Sequence, residues 1–381
     1  METSRFTRRA ASLGVFGLLW VVTIGFACPE KCDCTSDGWV RCNARGLEAV
    51  PISIPVNATR LYLNDNNIQN LTDTDFSNLT SLRHLDLSNN DIRVLPGGVF
   101  SNLTRLWLLD LADNHITHLP DGIFSNLISL ALLYLKSNHI SSLPAGVFSY
   151  LTNLDQLYLS GNNLADLADG VFSQLTSLVY LYLDDNEISS LSDEVLSNLT
   201  LRSLDLSYNR ITSLPDGVSS YITDDVRRDL RLAGNPWRCD CSFQRQLTSE
   251  SLRTLIADDP TCSSPPHMEG QNLKRVESDT VCQHRGDCTT GRSDGSCACK
   301  VSWTGTYCEK EANLALGKKA TSSTGIYGRP EKAVDGSWEE CAVTSRWWKV
   351  DLGAYYVVNR VRAVSSGKLV LQGQLHLCHT L

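Results

Sequence analysis

A 24-residue repeat dominates the middle of the chain and constrains its fold more than any other feature. Each unit carries the pattern Leu-x-Leu-x-x-Asn-x-Ile/Leu-x-x-Leu, in which x varies. The asparagine recurs every 24 residues, at Asn66, Asn90, Asn114, Asn138, Asn162 and Asn186. It follows again after 23 residues at Asn209 and after 26 residues at Asn235. Such regular recurrence predicts a repeat protein built from stacked units.

The residues of one unit indicate how it folds. Alternate side chains of a short strand point to opposite sides, so the two leucines of Leu-x-Leu face inward. Stacked units then form a parallel sheet over an apolar core that no single unit could build. We expect each asparagine amide to bridge neighbouring turns by hydrogen bonds. A phenylalanine ten residues further on predicts a buried row on the convex side, made of Phe76, Phe100, Phe124, Phe148 and Phe172.

Cysteines flank the repeats at both ends, where a stack of units exposes its core. The 14 cysteines cluster in 28–42, 239–308 and 341–378, and none lies between. This distribution predicts disulfide-bonded ends in an oxidising compartment. Zinc held by the Cys-x-Cys pairs is the alternative. We expect disulfides, and neither a metal nor another cofactor.

The two flanking motifs resemble the caps of extracellular leucine-rich-repeat proteins, a family that includes Slit-type proteins and the variable lymphocyte receptors of jawless vertebrates. The first motif is Cys-x3-Cys-x-Cys-x7-Cys at 28–42. The second is Asn-Pro-Trp-Arg-Cys-Asp-Cys at 235–241, with Cys262 and Cys282 beyond it. The resemblance implies four pairs, Cys28–Cys34, Cys32–Cys42, Cys239–Cys262 and Cys241–Cys282.

This resemblance also implies the domain organisation and the fold class. The amino-terminal cap occupies 28–57, the repeats 58–232 and the carboxy-terminal cap 233–282. The fold class is α/β, with a leucine-rich-repeat solenoid whose concave face is a parallel β-sheet between disulfide-rich caps. A small cysteine-rich module and a partial β-sandwich are expected to follow.

The module after the cap resembles an epidermal-growth-factor (EGF) module over 283–309. Its pattern is Cys-x5-Cys-x8-Cys-x-Cys-x8-Cys, which starts at Cys282 and ends in Gly-Thr-Tyr-Cys. The family has six cysteines, and the first is missing here, so calcium binding is not carried over. With Cys282 assigned to the cap, the expected bridges are Cys288–Cys297 and Cys299–Cys308.

The tripeptide Arg285-Gly286-Asp287 lies between two of these cysteines. It resembles the sequence that integrins recognise through a metal ion, which makes integrin-dependent adhesion one hypothesis. The alternative is an ordinary polar turn.

The final segment, 312–381, resembles the first half of a fucolectin-type (F-type lectin) β-sandwich. The motifs are Asn-Leu-Ala-Leu-Gly-Lys-Lys-Ala at 313–320, Ala-Val-Asp-Gly at 333–336 and Trp-Trp-Lys-Val-Asp-Leu-Gly at 347–353. The fucose-binding His and Arg cluster of that family has no counterpart, so no sugar-binding residues are assigned. A bridge Cys341–Cys378 is expected. Half a sandwich leaves strand edges uncovered, which predicts either poor folding or a truncated chain.

Export from the cell is expected from the first 27 residues. A basic start is followed by the apolar stretch 13–26 and by Ala27, which predicts a signal peptide over 1–27; an uncleaved anchor is the alternative. No other stretch approaches the roughly 20 apolar residues of a membrane helix, so a secreted protein is expected. Exported chains can carry N-glycans, and the candidate sites are Asn57, Asn70, Asn78, Asn102 and Asn198.

The concave face is the predicted binding surface for an extracellular protein. The position between the inward leucines carries Tyr62, Asp86, Asp110, Tyr134, Tyr158, Tyr182 and Asp205. Three successive tyrosines should stack one strand spacing (~4.8 Å) apart. The candidate site comprises Tyr134, Tyr158, Tyr180, Tyr182, Asp155, Asp184 and Asp185. Aromatic rings bordered by charge are typical of binding hot spots, although tyrosine also simply suits exposed strands.

Other classes of function are weaker hypotheses. The chain has 34 basic and 42 acidic residues, a balance that argues against nucleic acid as the partner. No phosphate loop, nucleophile elbow or metalloprotease helix is present, so catalysis is not expected. His115 and His139 occupy equivalent positions, yet two ligands without a third are more often plain surface residues. A glycan partner bound through the carboxy-terminal segment remains an alternative.

Overall fold

Nine short parallel strands form one face of the molecule. The computed structural model describes residues 28–215, 217–222, 229–247, 250–288, 295–300, 303–311, 319–322 and 348–351. Strand β1 (Asp33–Cys34) is antiparallel to β2. From β3 to β10, each strand of this sheet pairs in parallel with the one before it. The parallel strands are β2 Trp39–Arg41, β3 Arg60–Tyr62, β4 His84–Asp86, β5 Leu108–Asp110, β6 Leu132–Tyr134, β7 Gln156–Tyr158, β8 Tyr180–Tyr182, β9 Ser203–Asp205 and β10 Asp229–Arg231.

The predicted inward leucines form the core. In β5, Leu109 is fully buried between half-buried neighbours, and the next inward residue, Leu111, is fully buried as well. The same two positions are fully buried in every unit from Leu61 and Leu63 to Leu230 and Leu232. Each buried leucine contributes on the order of 1.5–3 kcal/mol. The parallel-sheet solenoid predicted from the repeat is therefore confirmed.

The asparagine ladder is also present. Asn90 is 6% exposed, and its Nδ2 donates to the carbonyls of Leu63 in the previous turn and Leu87 in its own, both at 3.0 Å. Its Oδ1 accepts from the Ile68 amide at 3.0 Å. The residue before it, Asn89, has a φ of 52°, a left-handed conformation that asparagine tolerates. The ladder thus provides hydrogen-bond partners for backbone N–H and C=O groups that are buried where the chain turns out of the sheet.

The predicted phenylalanine row lies under the convex side. Phe124, Phe148 and Phe172 are fully buried, and successive ring centroids are 6.2 and 6.0 Å apart. In the following unit the short helix α1 (Asp193–Leu196) places the buried Leu196 at this position. The aromatic row therefore ends one unit before α1.

The amino-terminal cap extends the repeat register with a cysteine. Val40 of β2 pairs with Leu61 and is 1% exposed, so it occupies the place of the first inward leucine. Cys42 occupies the second place, is fully buried and bonds to Cys32. The bridges Cys28–Cys34 and Cys32–Cys42 expected from the family resemblance are both in the structure.

The carboxy-terminal cap packs against β10, the last strand of the sheet, which has no following repeat. The fully buried Trp237 donates from Nε1 to the Leu232 carbonyl at 2.8 Å. A carboxylate oxygen of Asp258 accepts from the amides of Leu232 and Ala233, at 2.8 and 2.7 Å. These contacts satisfy backbone groups at an edge that would otherwise be open to pairing. The remaining elements of the cap are β11 Trp237–Arg238, α2 Cys241–Leu247, α3 Glu250–Leu255, β12 Cys262–Ser264 and α4 Ser278–Val281.

Two of the predicted disulfide pairs, Cys241–Cys282 and Cys288–Cys297, are wrong. Cys241 bonds to Cys288 instead of Cys282, and Cys282 bonds to Cys297. The physical reason is that Cys241 begins α2, Cys282 directly follows α4, and the following segment brings Cys288 and Cys297 to them, so the four sulfurs lie within 4.8 Å of one another. Chain order therefore does not define the partners. The Cys241–Cys288 bridge joins the cap covalently to the segment that sequence patterns had separated from it.

The other expected bridges of this region are as predicted where the structure describes them. Cys239 bonds to Cys262, and Cys299 bonds to Cys308. The segment after the cap contains the antiparallel pair β13 Trp303–Thr304 and β14 Lys310–Glu311. Cys341–Cys378 and the signal peptide 1–27 lie outside the described residues.

The carboxy-terminal segment is described only in part. Strands β15 (Lys319–Ser322) and β16 (Trp348–Asp351) pair antiparallel, with Ala320 opposite Val350. One strand pair does not establish a sandwich, so the fucolectin-type fold stays a prediction. Across the described ranges of the chain, no helix has the length and apolar character needed to cross a membrane.

Substitution Asn138→Ala tests the ladder in the middle of the solenoid. It removes one bond each from the carbonyls of Leu111 and Leu135, which keep their bonds to Asn114 and Asn162, and it leaves the buried Ile116 amide unpaired. We expect the free energy of unfolding to fall by about 3 kcal/mol in chemical denaturation. The matched control is the exposed Asn163→Ala, which should change it by less than about 0.5 kcal/mol. Equal effects of the two substitutions would contradict the role of the ladder.

Tryptic digestion of the unreduced protein tests the corrected disulfides. Cleavage after Arg285 and Arg292 separates Cys282, Cys288 and Cys297 into different peptides. Mass spectrometry should find peptide 286–292 linked to 239–245, and peptide 276–285 linked to 293–300. Linkage of 239–245 to 276–285 would restore the pairing expected from the family resemblance.

Candidate functional site

Three tyrosines stack at the centre of the concave face. They are Tyr134, Tyr158 and Tyr182, the last residues of β6, β7 and β8, and we call them the tyrosine stripe. The ring centroids of Tyr134 and Tyr158 lie 4.5 Å apart, and those of Tyr158 and Tyr182 lie 4.6 Å apart. The ring planes deviate by 17° and 13°, so the rings form one parallel stack. This is the stacking that the repeat predicts.

The strand register holds the stripe in place. Tyr134 pairs with Tyr158 and Tyr158 with Tyr182, so residues 24 positions apart become direct neighbours. The buried leucines on either side, such as Leu157 and Leu159, fix the direction in which each ring leaves the sheet. The rings are half-buried against one another, so little side-chain entropy remains to be lost on binding.

Burial disfavours the ionised form of two tyrosines of the stripe. Burial, together with the neighbouring tyrosines, raises the pKa of Tyr158 to about 12. Burial and Asp110 likewise raise the pKa of Tyr134. The Tyr158 hydroxyl donates to Oε1 of Gln156 at 2.9 Å. The stripe therefore combines a flat aromatic surface with phenolic hydroxyl groups, a combination suited to protein recognition.

The other predicted site residues surround the stripe. Tyr180 begins β8 and shares the face of Tyr182. Asp155 accepts from the Gln156 side chain at 3.2 Å, and Asp184 accepts from the Ser160 hydroxyl at 2.5 Å. Asp185 is exposed on the turn that follows β8. Asp155 and Asp184 form an acidic border beside β7 and β8, whereas Asp185 lines a separate depression with His115 and His139.

Two further aspartates belong to this surface, although sequence reasoning did not select them for the site. Asp110 adjoins Tyr134, and Asp205 adjoins Tyr182, in the same register column. Burial raises the pKa of Asp110 to about 6 and also raises the pKa of Asp205. The sequence did indicate that both aspartates lie on the concave face, because each stands between two inward leucines. The sequence did not reveal how deeply the carboxylates would be buried.

Substitution Asp110→Asn tests the burial of this carboxylate. Because its pKa in the folded protein lies above the ordinary value of 3.8, the ionised form destabilises the fold above pH 6. This penalty disappears as the pH falls from about 6 towards 4. We therefore expect the variant to melt at a higher temperature than wild type at pH 7.5, with the difference shrinking by pH 5. A difference that does not vary with pH, or the same change in the exposed Asp121→Asn, would contradict this assignment.

Sequence reasoning missed a groove along the amino-terminal strands of the concave face. The groove has a volume of about 890 Å³, and its lining includes Trp39, Arg60, Arg83, His84, Arg105 and Trp107. We call it the N-terminal groove. Its lining residues come from five successive turns and from differing repeat positions, so the cluster is not visible as a pattern in the linear sequence.

The Arg-Gly-Asp tripeptide is built into the cysteine-rich segment. A Cβ on Gly286 would lie 2.6 Å from the sulfur of Cys308, so this glycine packs against a disulfide. The backbone of Asp287 forms a two-way bridge with Ala298, at 3.0 and 2.8 Å. The side chain of Arg285 lies outside the described residues. Integrin-dependent adhesion stays a prediction.

Two groups of side chains that could ligate a metal lie close together among the described residues. His115 and His139 stack with 5.5 Å between centroids, and their Nδ1 and Nε2 atoms are 3.3 Å apart. Asp91 lies 3.6 Å from the far nitrogen of His115, so the described residues around the pair supply two nitrogens facing each other and no third ligand. The four clustered cysteines of the cap are all disulfide-bonded, and their sulfurs are therefore engaged.

Comparison with protein families identifies the repeats. Three overlapping segments, 56–116, 108–164 and 159–211, match the family described as leucine rich repeat. Residues 56–211 are therefore leucine-rich repeats, as the sequence pattern predicts. The EGF-like and fucolectin-type interpretations stay predictions.

Several curated proteins are similar to part of the chain. Human leucine-rich repeat-containing protein 3 is 42% identical over 72 residues, which cover 18% of this chain and 28% of that protein. Mouse leucine-rich repeat-containing protein 38 is 38% identical over 80 residues, covering 21% and 27%. Human immunoglobulin superfamily member 10 is 44% identical over 61 residues, covering 16% and 2%. The chain thus spans less than a third of the length of these relatives.

Proposed function

We propose that this protein is a secreted, non-enzymatic binding protein that recognises an extracellular protein through the tyrosine stripe and its acidic border. The observation that carries the proposal is the stack of Tyr134, Tyr158 and Tyr182 on the concave face. A rigid aromatic surface of this kind provides a large contact area at low entropic cost.

The chemistry of the border indicates the kind of partner. Asp184 follows β8, Asp110 adjoins Tyr134, and Asp155 directly precedes β7. Opposite charges across an interface steer association and suppress wrong partners. The partner therefore presents a basic patch around an aromatic or aliphatic anchor that packs on the tyrosine rings.

The positions of the glycosylation motifs support use of this face. Each of the asparagines in the five motifs is exposed, and none lies in a strand of the concave sheet. Glycans at these asparagines would cover other surfaces and leave the sheet accessible. The disulfide bridges of both caps support a location outside the cell, where such bonds persist.

The test is a binding screen of the full chain against purified extracellular protein domains. A partner of the stripe should bind wild type and lose at least about tenfold in affinity on Tyr158→Ala or Tyr182→Ala, because each removes a central hot-spot ring. The matched control is Tyr150→Ala, which removes a tyrosine that is 60% exposed and outside the sheet. Partners that bind all of these variants equally would contradict the proposed function.

A further inference from the structure

The N-terminal groove is a second surface that the proposed function does not use. It runs from Trp39 of β2 past Trp107 to Ser129, just before β6, whereas the tyrosine stripe starts at Tyr134, the last residue of β6. The groove thus lies along the amino-terminal strands, and the stripe lies at the centre of the sheet.

Sheet register brings the groove residues together. The Arg83 amide donates to the Thr59 carbonyl, and the Trp107 amide donates to the Arg83 carbonyl, both at 2.8 Å. Arg83 and Trp107 are therefore neighbours on successive turns. Arg60 begins β3 and lies in register with His84 of β4. The arginines stand on successive turns and form a diagonal row across the sheet.

The guanidinium groups of this row are not neutralised. Arg60, Arg83 and Arg105 are exposed, and no ion pair to them occurs in the part of the chain that the structure describes. The described lining of the groove contains no carboxylate. Arg60 lies over the ring of Trp39, with its guanidinium carbon 4.5 Å from the ring centroid. In a chain of net charge −8, such a cluster is a local exception that attracts anions.

The shape and the residue types narrow the ligand class. Guanidinium groups pair in a bidentate manner with oxyanions such as sulfate esters. Trp107 is 51% exposed and offers a flat apolar face, whereas the ring of Trp39 is covered by guanidinium groups. Such a flat face suits the C–H surface of a sugar ring. An open groove across several turns accommodates a linear polymer.

An acidic peptide fits this groove less well. Strands β3 and β4 are hydrogen-bonded on both sides, so no free sheet edge is available to pair with a peptide backbone. Such a peptide would depend on side-chain contacts alone. A sulfated sugar chain carries its anionic groups at short, regular intervals and needs no backbone pairing.

We propose that the N-terminal groove binds a linear sulfated polysaccharide of the glycosaminoglycan type. Arg60, Arg83 and Arg105 bind sulfate groups, and Trp107 packs against a sugar ring. This site is separate from the tyrosine stripe and does not depend on the proposed protein partner.

The experiment uses heparin as the probe and the full chain as the protein. Wild type should be retained on immobilised heparin at physiological salt. The triple variant Arg60→Gln/Arg83→Gln/Arg105→Gln should bind a heparin octasaccharide roughly 30- to 100-fold more weakly, and its affinity should depend less steeply on salt by about one logarithmic unit per lost contact. The matched control, Arg93→Gln/Arg210→Gln/Arg275→Gln, has the same net charge and should bind like wild type.

Two further variants and a polyglutamate probe distinguish binding of a sulfated sugar from binding of other anions. Trp107→Ala should weaken octasaccharide binding and leave its salt slope unchanged, because the ring carries no charge. Tyr158→Ala should bind heparin normally, which separates failure of this site from failure of the proposed function. Equal heparin binding by the groove variant and wild type overturns the proposal. So does absence of wild-type binding, or tighter binding of a polyglutamate peptide than of heparin with the same arginine dependence.

Discussion

The buried asparagine ladder is the interaction on which the rest of this structure depends. At each turn the chain leaves the sheet with its backbone groups inside the protein, where unpaired groups cost on the order of 1–3 kcal/mol each. The amide of Asn114 meets this need by donating to Leu87 and Leu111 and accepting from the Ile92 amide. The leucines supply most of the driving force, but burial is non-directional. The ladder adds the directional bonds that hold every turn in one register.

That register has consequences on the surface, because it converts a period in the sequence into columns of touching side chains. Tyr134 and Tyr158 are 24 residues apart along the chain and 4.5 Å apart between ring centroids. Residues at different positions of neighbouring units can also line one surface, as Arg83 and Arg105 do in the N-terminal groove. The concave face is consequently divided between a basic, indole-containing groove and an acidic, tyrosine-containing half. A rigid scaffold of this kind can present two chemically different binding surfaces to separate partners.

At the two ends of the solenoid, a disulfide and side-chain hydrogen bonds replace the contacts that a further repeat would make. Cys42 takes the place of an inward leucine and is anchored by Cys32, so the first turn is closed by a covalent bond. At the other end, Asp258 accepts from the amides of Leu232 and Ala233, which follow the last strand of the sheet, and the buried Trp237 bonds to the Leu232 carbonyl. The Cys241–Cys288 bridge then ties the following segment to the cap.

The repeat pattern alone determined the solenoid, its inward leucines, the asparagine ladder and the column of tyrosines. All of these follow from spacing, because a residue that recurs at the repeat period occupies the same place in every turn. Only the tertiary structure decided the partners of Cys241 and Cys282, since four sulfurs meet in one cluster and chain order cannot rank their distances. It also decided the burial that shifts the pKa of Asp110 and the assembly of Arg60, Arg83 and Arg105. These features depend on contacts between non-equivalent positions, which a periodic pattern does not encode.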